Sequence, residues 1–155
     1  MTHRYIGTKQ ITAWPQDRDG RPGYAVQYPD GYTSWSPAEV FEDAYRITEG
    51  EGQRLTFGDA LVFLKEGRKV ARAGWNGKRM WVALSPGSII KAEHAKPGHA
   101  SAHRAAELAA DRPHDGSEVI ELLPHLDMRA ADGSLVVGWL ASQTDMLADD
   151  WMVLP

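Results

Sequence analysis

Two short segments carry the side chains best suited to holding a ligand. Ala73-Gly-Trp-Asn-Gly-Lys78 offers an indole ring and an amide, Trp75 and Asn76, followed by the cations Lys78 and Arg79. Gly138 to Trp151 offers Trp139 and then a row of short donors and acceptors, Ser142, Gln143, Thr144 and Asp145. A planar ring beside amides, hydroxyls and a carboxylate suits a nucleotide. The ring can take the base, the polar groups sugar hydroxyls, and Arg72, Lys78 or Arg79 a phosphate. The same residue types serve equally as buried tryptophans and a helix N-cap at Ser142 or Thr144, and the residues alone leave both readings open.

Other chemistries find less to work with. His94, His99, His103, His114 and His125 lie close together in the chain, and His99 and His103 at i, i+4 share a helix face as zinc ligands would. Ala-Ser-Ala separates them, without the Glu of an H-E-x-x-H motif. Neither His94, His114 nor Asp111 completes a set at characteristic spacing, so no metal is expected. There is no cysteine, no Gly-x-Ser-x-Gly and no phosphate-binding loop. Asp145, Asp149 and Asp150 cluster, but Asp149-Asp150 before Trp151 reads as a polar turn feeding a strand. The expectation is a binding protein with no catalytic residues and no cofactor.

The elements that must position these residues form two parts. In residues 1–47, Lys9–Trp14 and Tyr24–Tyr28 alternate as strands around the dense turn Asp17–Gly23, and Pro29-Asp-Gly31 reverses the chain into Tyr32–Trp35. Ser36-Pro-Ala-Glu39 spells a capping box opening a helix to Ala44 or Tyr45, with Val40, Phe41 and Ala44 on one face. Residues 48–55 read as a linker. From 56 to 155, Thr56 and Asp59 cap a helix that Gly67 stops, with Phe57, Ala60, Leu61 and Leu64 on one face. Strands follow at Lys69–Ala73 and Arg79–Leu84 around a tight Asn76-Gly77 hairpin, then at Ile120–Arg129, Ser134–Leu140 and Asp149–Leu154. Residues 91–117, rich in Ala, His and charge, read as a surface insertion carrying a short helix, and could be a lid or an incidental loop. The expected class is α+β: a helix packed on an antiparallel sheet of about five strands, preceded by a small β-hairpin and helix module.

Composition sets outer limits. The 155 residues carry a formal charge of −4, are 43% hydrophobic and 25% charged, and include six tryptophans. A real core is therefore available, but the net negative charge and scattered cations speak against sequence-independent DNA or RNA binding. No apolar run reaches the roughly 20 residues of a membrane span, and Met-Thr-His-Arg-Tyr-Ile lacks a signal-peptide stretch. A cytosolic protein is the simplest expectation.

Three blocks, in order, closely resemble one phage and prophage family, the second type of Thoeris anti-defence protein. They are Phe57-Gly-Asp-Ala-Leu61 continuing to Leu64-Lys-Glu-Gly-Arg-Lys-Val-Ala-Arg-Ala-Gly-Trp-Asn-Gly-Lys78, then Leu123-Pro-His-Leu-Asp-Met-Arg-Ala-Ala-Asp-Gly133, then Gly138-Trp-Leu-Ala-Ser-Gln-Thr-Asp-Met-Leu-Ala-Asp-Asp-Trp151. The resemblance implies a molecular sponge that sequesters cyclic ADP-ribose isomers made as alarm signals by Thoeris TIR proteins, without cleaving them, in the cytoplasm of the infected host. Some relatives also take cyclic dinucleotides of the CBASS pathway. It further implies a homotetramer with pockets between protomers. Carried over by motif, the ligand residues are Trp75, Asn76, Trp139, Ser142, Gln143, Thr144 and Asp145, with Arg72 and Phe57 beside them. An enzyme that degrades such signals and a protein-binding phage accessory factor are the alternatives. The segment 91–117 is longer and richer in His than the family connection. Tyr24 to Arg46 resembles a short module of many phage proteins, either a packing appendage or a second ligand site through Tyr32, Trp35 or Arg46.

Overall fold

A computed structural model describes residues 2–7, 9–75, 77–111 and 117–155. The chain divides into two compact units, 1–46 and 47–155. In the first, β1 (Thr12–Pro15), β2 (Gly23–Gln27) and β3 (Thr33–Pro37) form an antiparallel meander in the order β1-β2-β3, with Trp14, Ala25 and Trp35 in register across it. Arg18 and Arg21 exchange backbone hydrogen bonds of 3.0 Å around Asp19-Gly20. Both turn residues have positive φ, 52° and 73°. That is the two-residue turn whose twist matches a right-handed hairpin.

Helix α1 (Ala38–Ala44) follows, but not with the expected capping box. Ser36 is paired in β3 opposite Tyr24, so its hydroxyl cannot reach the first turn, and Pro37 occupies the cap without a side-chain bond. The apolar stripe is also narrower than its sequence suggests. Val40 and Ala44 are exposed, while Phe41 stacks between Tyr24 at 4.2 Å and Tyr45 at 4.9 Å. The Tyr24 hydroxyl donates to Glu42 at 2.9 Å.

In the second unit, α2 (Phe57–Lys65) begins with the capping box read from sequence. Thr56 Oγ1 accepts the Asp59 N–H at 3.2 Å, and Asp59 accepts the Thr56 N–H at 2.9 Å. The chain then runs through β4 (Lys69–Arg72), β5 (Trp81–Ser85), β6 (Ser88–Lys91), α3 (Ala100–Asp111), β7 (Val119–Leu122), β8 (His125–Arg129), β9 (Leu135–Val137), α4 (Gln143–Met146) and β10 (Trp151–Leu154). Five strands make the main antiparallel sheet, in the order β10-β4-β5-β8-β9.

Leu55, Ala60, Phe63 and Leu64 pack against Val70, Val82, Met128, Trp151 and Val153 as one core, with Phe57 and Leu61 at its margin. Burying a helix stripe on one sheet face is the ordinary two-layer solution. The end of the expected linker belongs to this unit. Leu55 exchanges backbone bonds of 3.0 Å with Trp151, and Gln53 bonds the backbone of Val153 on both sides, at 2.7 and 3.3 Å.

The strand expected over Ile120–Arg129 is two strands. β7 pairs with β6 in a separate ribbon, and β8 joins the main sheet beside β5. Pro124 removes a donor at the break, and Gly87 (φ 82°) sits so close to the Leu122 carbonyl that any side chain there would collide with it. The inserted helix α3 forms and buries none of its residues. Among the described residues no helix is long and apolar enough to cross a membrane.

Candidate functional site

Trp151 is the hub at the β10 end of the main sheet, with no exposed surface. Around it stand Phe57 at 5.4 Å, Trp75 at 5.5 Å and Trp139 at 6.4 Å, measured between ring centroids, and Trp75 and Trp139 meet edge to face at 6.4 Å. The sequence therefore brings its two candidate platforms together from segments far apart in the chain. Both remain half-buried.

Local backbone geometry explains their placement. β4 and β5 pair antiparallel, but their connection is longer than a two-residue turn, and Asn76 of the expected turn lies outside the described residues. After Arg72 the chain makes a 3-10 turn over Ala73–Trp75, because the Ala73 N–H bonds the Asp150 carbonyl at 3.0 Å and the Gly74 N–H bonds the Asp150 carboxylate at 2.8 Å. That turn swings Trp75 onto Trp151. On the other side Gly138 (φ 76°) donates to buried Asp127 at 3.1 Å, and the Trp139 N–H donates to the Leu126 carbonyl at 2.7 Å. Asp127 also accepts the Ser85 hydroxyl, and so ties β5, β8 and the segment after β9.

The polar residues divide by what already occupies them. Ser142 and Asp145 form a reciprocal capping box on α4, with the Ser142 N–H donating to Asp145 at 3.2 Å and the Asp145 N–H to Ser142 Oγ at 3.1 Å. Arg72 donates through Nη1 to Asp145 at 2.9 Å and through Nε to Asp150 at 2.7 Å. Ser142, Asp145, Arg72 and Asp150 thus hold one another, and Ser142 takes the N-cap position that was one of its two readings in the sequence. Gln143, Thr144 and Lys78 are exposed and make no side-chain hydrogen bond or ion pair among the described residues. Phe57 lies on Trp151. Asn76 lies outside the described residues.

Burial pushes the Asp145 carboxyl upward, but hydrogen bonds from Ser142 and Arg72 outweigh it and hold the group below the usual carboxylate range. Asp150 is held low chiefly by its Arg72 hydrogen bond, against the opposing effect of burial and with help from the Gly74 N–H. Carboxylates fixed in the ionised form and fully engaged are poorly placed for proton transfer at neutral pH. Asp150 and Asp127 were not singled out as positioning residues by sequence. The available signal for Asp150 was an acid one step before a strand whose first residue, Trp151, pairs with Arg72.

The first unit separates its own candidates. Tyr32 stacks on Tyr28 at 5.9 Å at the β2–β3 turn, and Trp35 Nε1 donates to the Gln16 carbonyl at 2.7 Å. Trp35 lines an open cavity of about 430 Å³ with Arg18, Asp19 and Arg21; Tyr32 and Arg46 do not line it. His103 sits on α3 with His99 just before it, and His114 lies outside the described residues. Among the described residues no group of three or more His, Asp or Glu could hold a metal ion.

Comparison with known proteins bears on the second unit. The profile of the Thoeris anti-defense 2-like domain matches residues 55–154, from the core residue Leu55 to the end of β10. Thoeris anti-defense 2 of Bacillus phage SP01 is 31% identical over 101 residues, which is 65% of this chain and 96% of that protein. Trp75, Trp139, Trp151, Arg72 and the α4 capping box all lie inside the matched span. This chain belongs to the Thoeris anti-defense 2-like family.

Proposed function

We propose that the protein is a phage anti-defence sponge, acting in the cytoplasm of the infected bacterium. It would bind cyclic ADP-ribose-type immune signals without cleaving them and so block Thoeris immunity. The observation that carries this reading is the pairing of two half-buried tryptophans, Trp75 and Trp139, with the unengaged polar side chains of Gln143, Thr144 and Lys78. The matched family and its anti-defence relative supply the biological context. In this reading Trp75 or Trp139 stacks on the adenine. Gln143 and Thr144 meet ribose hydroxyls, Lys78 meets the phosphates, and Arg72, Ser142, Asp145 and Phe57 keep that surface in shape. Asn76 joins the ligand residues through its motif. Cyclic dinucleotides fit the same chemistry, a planar base and an anionic linkage.

The pocket is completed in this proposal by a second copy of the chain, within a homotetramer. β9 is an edge strand, and Leu135, Val136 and Val137 are all exposed, as are Leu140 and Leu147 on the way to and from α4. A bare strand edge flanked by apolar side chains favours association.

Two measurements test the proposal. Protein incubated with a cyclic ADP-ribose isomer, then heat-denatured, should release the intact ligand on chromatography; product in catalytic amounts would establish an enzyme instead. Trp75→Ala should weaken binding by roughly 5- to 150-fold, since stacking of a base on an aromatic ring contributes about 1–3 kcal/mol. Circular dichroism and oligomer size should stay unchanged. Undiminished affinity in that variant would place the ligand elsewhere.

A further inference from the structure

The first unit carries a feature that the function proposed for the second does not use. Strand side chains alternate between faces, and the register across β1, β2 and β3 fixes which residues share one. Trp14, Ala25 and Trp35 are in register, and Gly23 lies two residues before Ala25. Continuing the pairing through Gln16 and Gly23 to Arg18 and Arg21 places both arginines on that same face. Tyr24 is on the opposite face, where α1 packs through Phe41.

Trp35 is fixed on this face rather than merely present. Its Nε1 is tied to the Gln16 carbonyl at 2.7 Å. Its ring lies over Gly23 so closely that any side chain at that position would strike it. The indole therefore has its polar atom satisfied and presents hydrocarbon surface to the cavity. Arg18 and Arg21 are a directly opposed pair of like charges, an arrangement that costs stability unless something answers the charge. Neither makes an ion pair or a cation–π contact among the described residues. Asp19, at the turn tip, adds a carboxylate acceptor to the same cavity of about 430 Å³.

We propose that this face is a separate binding site for a mononucleotide-type ligand. Its planar base lies on Trp35, its phosphate is held between Arg18 and Arg21, and a sugar hydroxyl donates to Asp19. Each part answers one feature of the cavity. A free ring system would leave the paired guanidiniums unanswered, and a free inorganic anion would make no use of the indole. Guanidinium forks match phosphate oxygens geometrically, and tryptophan accepts any base face.

The test uses the full chain, isotopically labelled, titrated with 5′-AMP, adenosine and inorganic phosphate in turn. NMR follows the Trp35 indole N–H and the amides of Arg18, Gly20 and Arg21. AMP should shift these signals saturably, with adenosine and phosphate alone each binding about tenfold or more weakly, because each supplies only one of the two contacts. The double variant Arg18→Ala with Arg21→Ala alters only exposed turn side chains. It should weaken AMP binding by about tenfold or more while the β1–β2–β3 amide pattern is retained. Absence of AMP-induced shifts at this hairpin up to millimolar concentration would overturn the proposal, as would shifts unchanged in the double variant. Shifts confined to the Trp75 and Trp139 indoles would likewise overturn it, and would leave the function proposed for the second unit standing.

Discussion

Replacing Trp151 by alanine should destabilise the second unit by about 3–5 kcal/mol, the range for emptying a fully buried aromatic site. The residue has no exposed surface and its ring is enclosed by Phe57, Trp75 and Trp139. Its register partner in the sheet is Arg72, and its backbone is bonded on the other side to Leu55. Truncation therefore removes the common support of both candidate platforms and of the helix entry. Its indole N–H also donates to the Asp145 carbonyl at 2.9 Å, so Trp151→Phe separates two contributions. It keeps most of the packing and should lose about 1–3 kcal/mol, through the lost indole hydrogen bond and the smaller ring. Urea unfolding followed by circular dichroism measures both. A loss below about 1 kcal/mol for the alanine variant would mean that the ring cluster does not anchor the core.

The contrast between the two units indicates which features a sequence exposes. The α2 helix was legible because its signals are local. Thr56 and Asp59 cap it, Gly67 ends it, and the apolar residues recur at helical spacing. The composition of the five-stranded sheet was nearly legible for the same reason, but its interruptions were not. Pro124 gave a warning in the middle of an apolar run, yet the assignment of β7 to β6 and of β8 to β5 depends on long-range pairing that no short window contains. The capping box at Ser36 was a local signal that lost to a non-local one, since pairing of Ser36 with Tyr24 extends β3 through the cap position. The early end of β4 at Arg72 has a non-local cause too, since the Asp150 carboxylate and carbonyl capture Gly74 and Ala73.

Within the candidate site, residue types were legible and their partners were not. Trp75 and Trp139 stood out as aromatic rings beside polar residues, but only the fold reveals that a third tryptophan joins them. Ser142 had two readings in the sequence, ligand contact and helix cap, and its reciprocal bonds with Asp145 on α4 supply the cap. Arg72 stood with Lys78 and Arg79 as one of three cations that could meet a phosphate. Its two carboxylates lie more than 70 residues away. The first unit had the inverse problem. Arg18 and Arg21 were hidden in a turn rich in Asp and Gly, and only the two-residue turn geometry puts them on the Trp35 face.

Arg72→Met should then act first on structure and only through it on ligand. The side chains of Arg72 and Asp145 are each 15% exposed and that of Asp150 is 28% exposed, so the removed cation leaves two carboxylates partly buried and close together. Removing one partner of a buried pair costs about 3–5 kcal/mol, and the residual solvent access lowers the expectation here to about 2–3 kcal/mol. The pH dependence identifies the electrostatic share. Asp145 and Asp150 both have folded-state values held below the ordinary range, so as pH falls the unfolded chain takes up protons before the folded one does. Their stabilising contribution is fully present above the unfolded value of about 3.9 and is lost as pH falls through the depressed values. In Arg72→Met the same carboxylates lack their cation and gain stability on protonation. The difference between wild type and variant should therefore be constant from about pH 7 to pH 5 and shrink below about pH 4. Adding Asp150→Asn to the methionine variant should recover part of the loss, because it removes one of the two opposed charges. A difference that stays the same size at low pH, with no recovery in the double variant, would mean that Arg72 contributes packing alone and that the carboxylates of the 145–150 segment are held by other contacts.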